Sequence, residues 1–342
     1  MVRPPKLETA NGLSAAPDTP ARYTRRRFLL SLGLLAGAGA TATLAPRLPG
    51  ERLVRVEASR PGLGTWIRIA ARHRDGARAE RAISRAFAAI AAVDAQMSVH
   101  RADSELSRVN AMAGREAVPV GEALLEVVGR ARDAALASGG VFDPTVLPLM
   151  RLYGFYESGR THFPTDREID ETLRAVGADA IALDRAAGTL GLSRRGAALD
   201  LGGIGKGWAV DRAVEALRAE GVGSGLVDVG RNVYALGTPD EASEGWAVGV
   251  LHPGTGAVDR VFTLRDAAVA TAGNTENFVT LDGARVGHLF DASRGRPSDP
   301  HLSASVVARS GTDSDTGSNL AFLLGKGALA CLPGVLDTHF VG

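Results

Sequence analysis

Apolar positions recur every three to four residues in several stretches of the chain, and that spacing predicts amphipathic helices over 79–96, 121–138, 167–177, 208–220 and 315–324. Gly139-Gly140 stands just past the second of these and Gly325 just past the last, where helix ends favour glycine. A shorter helix is expected after Asp103 or Ser104, either of which can cap it, inside the polar-rich segment 97–110. Alternation with a period of two predicts strands at 53–55, 65–70, 180–183, 198–201, 225–235, 246–251, 261–264, 269–272, 278–281 and 303–308. The apolar run 141–155 carries Pro144 and Pro148, so a rigid, irregular segment is expected there, and 288–297 reads as a turn-rich loop. No repeat or interior linker interrupts the succession. The expectation is one large α+β domain over residues 52–342, a mixed sheet with helices packed on it.

Ahead of that domain, residues 1–22 are polar, patternless and proline-containing, the composition of a disordered start. Thr24-Arg25-Arg26-Arg27-Phe28-Leu29-Leu30 then runs into an uncharged Gly/Ala-rich stretch with small residues at Ala40 and Ala42, or Thr43 and Ala45, for cleavage. Residues 1–45 therefore resemble a disordered start and a twin-arginine export signal, which places the folded part in the periplasm. About 18 apolar residues is also the shortest span that crosses a bilayer, so an uncleaved inner-membrane anchor is the competing expectation.

The densest turn chemistry lies at 199–207, Leu-Asp-Leu-Gly-Gly-Ile-Gly-Lys-Gly, directly ahead of the helix at 208–220. A strand, a glycine turn and a helix in that order aim unpaired N–H groups and the positive end of the helix at one spot. With Lys206 alongside, a phosphate is the expected occupant; glycines that only let the helix pack close to the sheet are the alternative. A P-loop is excluded, because Asp200 and Gly207 stand where that motif needs glycine and Ser or Thr. Gly203-Ile-Gly205-Lys-Gly207 also fits a dinucleotide fingerprint poorly, coming late in the chain with an acid already in the strand. A carboxylate beside a phosphate seat is better accounted for by a cation between them.

Composition narrows the picture a little further. A net charge of +1 with no Lys/Arg run beyond the first thirty residues gives no footing for nucleic acid. Lysine occurs only at positions 6, 206 and 326 against a background of arginine, which singles out Lys206. Cys331 is the one cysteine, excluding an intrachain disulfide and a thiolate metal cluster.

Taken in order, Gly62-Leu63-Gly64-Thr65, 97–110, 141–155, 200–211, 227–236, Thr271-Ala272-Gly273-Asn274, 288–297 and 315–325 together resemble the ApbE family of flavin transferases, from about residue 53 to 330. The resemblance implies a single T-fold-like α+β domain that binds FAD with Mg2+. It also implies transfer of FMN to a threonine or serine hydroxyl of a target flavoprotein, with release of AMP. Many members are exported, in agreement with the separately read signal. Arg231 in place of a glycine, Arg294 in place of a threonine, and the signal itself are similar to the branch associated with nitrous oxide respiration, whose targets are membrane flavoproteins.

Moving FMN requires in-line attack of a hydroxyl on one phosphorus of a diphosphate, hence positive charge on the diphosphate, an aligned hydroxyl and a proton acceptor. Mg2+ takes oxygen ligands, and Asp315 and Asn319 lie one turn apart on a predicted helix. By resemblance Asp315, Asn319 and the carbonyl of Gly203 are the metal positions; on its own residues Asp315 also reads as an ordinary helix N-cap. Asn319 stands where threonine is usual, which implies weakened metal binding. The resemblance places Leu63, His100, Val141, Phe142, Asp143, Asp200, Lys206 and Leu289 at FAD. Leu63 replaces a methionine there and His100 a tyrosine or tryptophan; on its own, His100 reads as a solvent-facing loop residue. His288-Leu-Phe-Asp291 matches the family's His-x-x-Asp step, with His288 as proton acceptor and Asp291 to orient it, against a purely structural histidine. Ala292 stands for proline in the same stretch. A carrier that binds FAD without chemistry and a hydrolase that splits FAD with water are the competing functional readings.

Overall fold

Alternating side chains carry the first strand, β1 (Val54–Gly62), well past the three residues expected, and a turn at Leu63-Gly64 returns it as β2 (Thr65–His73). Both turn residues hold positive φ, 50° and 69°, the twist that tight antiparallel hairpins favour. On β2 the alternate residues Ile67, Ile69 and Ala71 are buried. α1 (Gly76–Met97) opens with the Asp75 carboxylate on the Arg78 N–H and buries Ala79, Ala82, Ile83, Ala86, Phe87, Ile90 and Val93 along one face. Ser104 caps α2 (Glu105–Ala111). The chain continues through β3 (Val118–Pro119), α3 (Glu122–Ala137), α4 (Leu147–Leu152) and α5 (Asp166–Leu173), the last opened by a reciprocal capping box of Thr165 and Glu168. β4 (Ile181–Asp184) and the unanticipated β5 (Thr189–Leu192) join β3 in a small sheet.

The strand expected at 198–201 does not form; the segment is buried but joins no sheet. The Asn110 amide stands in for a neighbouring strand, donating to the Leu199 carbonyl at 3.0 Å and accepting from the Leu199 N–H at 2.7 Å. The Pro144 carbonyl accepts from the Asp200 N–H at 2.7 Å. The glycine turn then leads into α6 (Gly205–Ala219). The single strand expected at 225–235 is a hairpin, β6 (Ser224–Val229) and β7 (Asn232–Leu236), turned at Gly230-Arg231 with φ of 56° and 74°. Further hairpins follow, β8 (Trp246–Leu251) with β9 (Val258–Leu264), then, after β10 (Ala267–Ala272), β11 (Phe278–Leu281) with β12 (Ala284–Gly287) and β13 (Phe290–Asp291) with β14 (Arg296–Pro297). β15 (Ser303–Ala308), α7 (Gly311–Leu324) and β16 (Val335–Val341) complete the chain.

The large sheet runs β1-β2-β6-β7-β10-β15-β16. Every pairing in it is antiparallel rather than mixed, because each strand returns beside its neighbour through a turn, a helical excursion or intervening hairpins that bring the chain back to the end it left. Tyr234, Leu236 and Ala268 belong to the main core with α1 and α6, while the intervening Ala235, Ala267 and Val269 join Trp246, Val250, Phe262 and Leu264 of the β8–β9 hairpin. Helices therefore cover one face and a hairpin part of the other, which is an α+β domain. The structure, a computed structural model, describes residues 53–156, 159–331 and 334–342. The disordered start and twin-arginine segment expected over 1–45 lie outside the described residues. No helix among the described residues is long and apolar enough to cross a membrane.

Candidate functional site

α6 begins at Gly205 with no side-chain cap of its own. α7 begins four residues before Asp315, capped by the Ser310 hydroxyl on the Asp313 N–H at 3.1 Å. Each helix then takes a carboxylate from the other. Asp315 Oδ2 accepts from the Gly207 N–H at 2.9 Å. Asp211, on α6, accepts from the N–H groups of Gly311 and Thr312 at 2.6 and 2.9 Å and from the Thr312 hydroxyl at 2.6 Å. Asp315 is thus not the N-cap of its own helix; it fills the uncapped start of α6. The helices cross so closely that a Cβ on Gly207 would lie 2.1 Å from the Gly311 carbonyl oxygen, which is why that position must be glycine.

The glycine turn and α7 meet again one turn further on. Asn319 Nδ2 donates to the Gly203 carbonyl at 3.3 Å and back to the Asp315 carbonyl at 2.9 Å. The Phe142 ring closes the other side of Gly203, 2.8 Å from where its Cβ would stand. Asp315, Asn319 and Gly203 therefore converge. Burial pushes the Asp315 carboxyl up, opposed by the charge of Lys206 and by the N–H groups at the start of α6. No three His, Cys, Asp or Glu side chains among the described residues cluster as a metal site. The donors on offer are one carboxylate, one main-chain carbonyl and one amide oxygen, a hard set that fits Mg2+. The Asn319 amide presents its nitrogen to Gly203, so ligation through Oδ1 requires the amide to turn over.

The phosphate seat expected at the turn is partly filled by the chain itself. Asp315 occupies the Gly207 N–H, and Asp200 Oδ1 occupies the Gly202 N–H at 2.6 Å. The positive charge left at the turn is Lys206, half-buried, its Nζ 3.2 Å from the Gly202 carbonyl. Asp200 itself is buried, and its Oδ2 accepts from the Tyr156 hydroxyl, a partner that the sequence reading missed. His100 is exposed, with its ring centroid 5.2 Å from that of Tyr156. His288 is half-buried, with Nδ1 3.2 Å from the Asn277 carbonyl. Burial and the charge of Lys206 push its imidazole down to about 4, with the Asn277 carbonyl and Asp200 opposing.

Asp291 does not orient His288. The Asn277 carbonyl does that, because residues three apart in an extended run face opposite ways. Asp291 accepts instead from the N–H and hydroxyl of Ser293 at 3.1 and 2.5 Å and lies 3.5 Å from the Arg294 guanidinium. Asp143 is buried with its carboxylate committed to the N–H and hydroxyl of Thr145 and the N–H of Ala178, which fixes the turn after Phe142. The Val141 carbonyl accepts from the Ala292 N–H at 3.0 Å, tying that turn to the β13–β14 hairpin. Leu289 is buried with Ala272, Ala304 and Phe322, its N–H on the Asn274 side-chain oxygen. Leu63 occupies the β1–β2 turn and packs on the main core.

This architecture is similar to that of the ApbE protein from Thermotoga maritima, with a TM-score of 0.75 at 26% identity over 84% of this chain and 94% of that one. It is likewise similar to the flavin transferase ApbE from Vibrio cholerae, with a TM-score of 0.73 at 25% identity over 85% and 98% of the two chains. Residues 63–334 match the ApbE family, and the chain belongs to that family. Among its curated relatives, the FAD:protein FMN transferase of Treponema pallidum is 34% identical over 281 residues, 77% of each protein. That of Klebsiella pneumoniae strain 342 is 30% identical over 252 residues, 72% of this chain and 77% of the relative.

Proposed function

We propose that this protein is an FAD:protein FMN transferase that moves FMN from FAD to a threonine or serine hydroxyl of a target flavoprotein and releases AMP. The observation that carries the reading is the convergence of Asp315 and Asn319 with the Gly203 carbonyl, beside Lys206, on a turn where a diphosphate has a cation to meet. Asp315, the Gly203 carbonyl and Asn319 Oδ1 would hold Mg2+, which supplies charge to the diphosphate oxygens when bound. Lys206 adds a second positive charge from the first turn of α6. The acceptor hydroxyl oxygen forms the new bond to the FMN phosphorus, the bond to the AMP oxygen breaks, and the hydroxyl proton passes to neutral His288. The Asn277 carbonyl fixes the His288 ring by accepting at Nδ1, leaving Nε2 for that proton.

Purified protein incubated with FAD, Mg2+ and an exported flavoprotein domain bearing the acceptor hydroxyl tests the reading. Flavin fluorescence fixed on the target in a denaturing gel, with one AMP per label, is the expected result. AMP without label would make the protein a hydrolase, and tightly held FAD with neither product would make it a carrier. Export through the twin-arginine route belongs to the same reading and rests on Arg25 and Arg26; replacing both by lysine should retain a fused reporter inside the cell.

A further inference from the structure

We propose that Tyr156 positions the flavin ring system, an inference that rests on FAD being the ligand. Three aromatic residues follow α4 closely, and two of them turn inward: Tyr153 and Phe155 pack edge-on to Phe290, with ring centroids 5.0 and 5.9 Å away. Tyr156 packs against the edge of the same cluster and differs from them in where its polar end goes. Its ring is half-buried and meets His100 at a 35° tilt, while its hydroxyl donates to Asp200 Oδ2.

Each of those contacts restricts the ring. The carboxylate that receives the hydroxyl is itself fixed, because its other oxygen holds the Gly202 N–H and its backbone N–H is held by Pro144. The phenol is therefore anchored at its far end to the glycine turn, and its ring plane is set relative to the turn that carries Lys206 and Gly203. Burial and the neighbouring carboxylate push the phenol up, so it stays protonated and remains a donor through the physiological range. A ring backed by that cluster and held at one end by a buried acid is pre-set to stack with a planar heterocycle on its outer side, where His100 now lies, at little entropic cost. His100, exposed and with its backbone N–H on the Ser98 hydroxyl, adds a second, outer ring beside that of Tyr156.

The chemistry separates the ring of FAD from its nucleotide half, and so does the test. Wild-type protein is first titrated with FAD, following the flavin fluorescence, and with ADP by calorimetry. Failure of the wild type to bind FAD overturns the functional reading itself. With FAD binding established, Tyr156→Leu should weaken FAD about tenfold, leave ADP unchanged and lift the quenching of the bound flavin. Tyr156→Phe keeps the ring but loses the tether to Asp200, so FAD affinity should fall by less than about threefold while the flavin's induced circular dichroism changes. Equal loss of FAD and ADP in Tyr156→Leu would assign the residue to folding of the turn and overturn the proposal. So would unchanged FAD affinity and quenching in both variants.

Discussion

Asp315 Oδ2 lies 2.9 Å from the Gly207 nitrogen, so the acid proposed to hold a cation also closes the first turn of the opposing helix. The two roles depend on one close crossing. A methyl group at Gly207 would meet the Gly311 carbonyl at 2.1 Å and Asp315 Cβ at 2.7 Å. Alanine in a helix is normally worth ~1 kcal/mol over glycine; here Gly207→Ala should instead destabilise by about 2–4 kcal/mol through overpacking against backbone. A urea melt decides the sign.

Asp315→Ala confounds chemistry with folding, because it strips the Gly207 N–H of its acceptor at a cost of about 1–3 kcal/mol. Asp315→Asn keeps an acceptor and removes the charge. Stability within about 1 kcal/mol of wild type, with FMN transfer reduced at least ~100-fold, is the expected outcome. Transfer at the wild-type rate would remove Asp315 from the metal site.

Asn319 turns its amide nitrogen toward Gly203, so a cation has to displace a hydrogen bond to enter. Asn319→Asp supplies a carboxylate in its place beside buried Asp315. The metal-free variant should melt lower than wild type from like-charge repulsion, and half-saturation by Mg2+ should fall about tenfold. Thermal shift against Mg2+ concentration reads both effects without any substrate.

His288 is held down to about 4 because burial and Lys206 disfavour its charged form. The ring is therefore neutral at pH 7 and gains a proton only as pH falls toward 4. Transfer measured at FAD well below saturation, where kcat/KM reports the free enzyme, should show an acid limb near pH 4 rather than near the ordinary histidine value of about 6.5. Lys206→Gln removes the repelling charge and should move that limb upward. The same sign applies to the fold: the unfolded chain binds this proton first, so stability declines from about pH 6.5 down to 4 and His288→Asn flattens that decline.

Helix faces were legible wherever a stripe had to be buried, as along α1, because the core imposes the period. The extended run ending at Asp200 was not, since its partner is a side chain, Asn110, and no local pattern distinguishes an amide from a strand. The start of α7 was readable in principle: Ser310 with Asp313 three residues on is a capping signal, obscured by the glycine that follows the serine. Site residues read from the ordered family motifs included Asp315, Asn319 and Gly203, which the fold brings together. The expected pairing of His288 with Asp291 failed because it depended on facing, and two short strand residues change that parity. Tyr156 escaped notice because nothing in its neighbourhood marks it; only the folded approach of Asp200 does.

Asp211 and Asp315 give α6 and α7 a shared fate. Unwinding either helix through its acid withdraws the anion that neutralises the other, so the amides of Gly207, Gly311 and Thr312 should exchange with deuterium as one cooperative unit despite lying about a hundred positions apart. A nucleotide bound at the glycine turn would slow all three together.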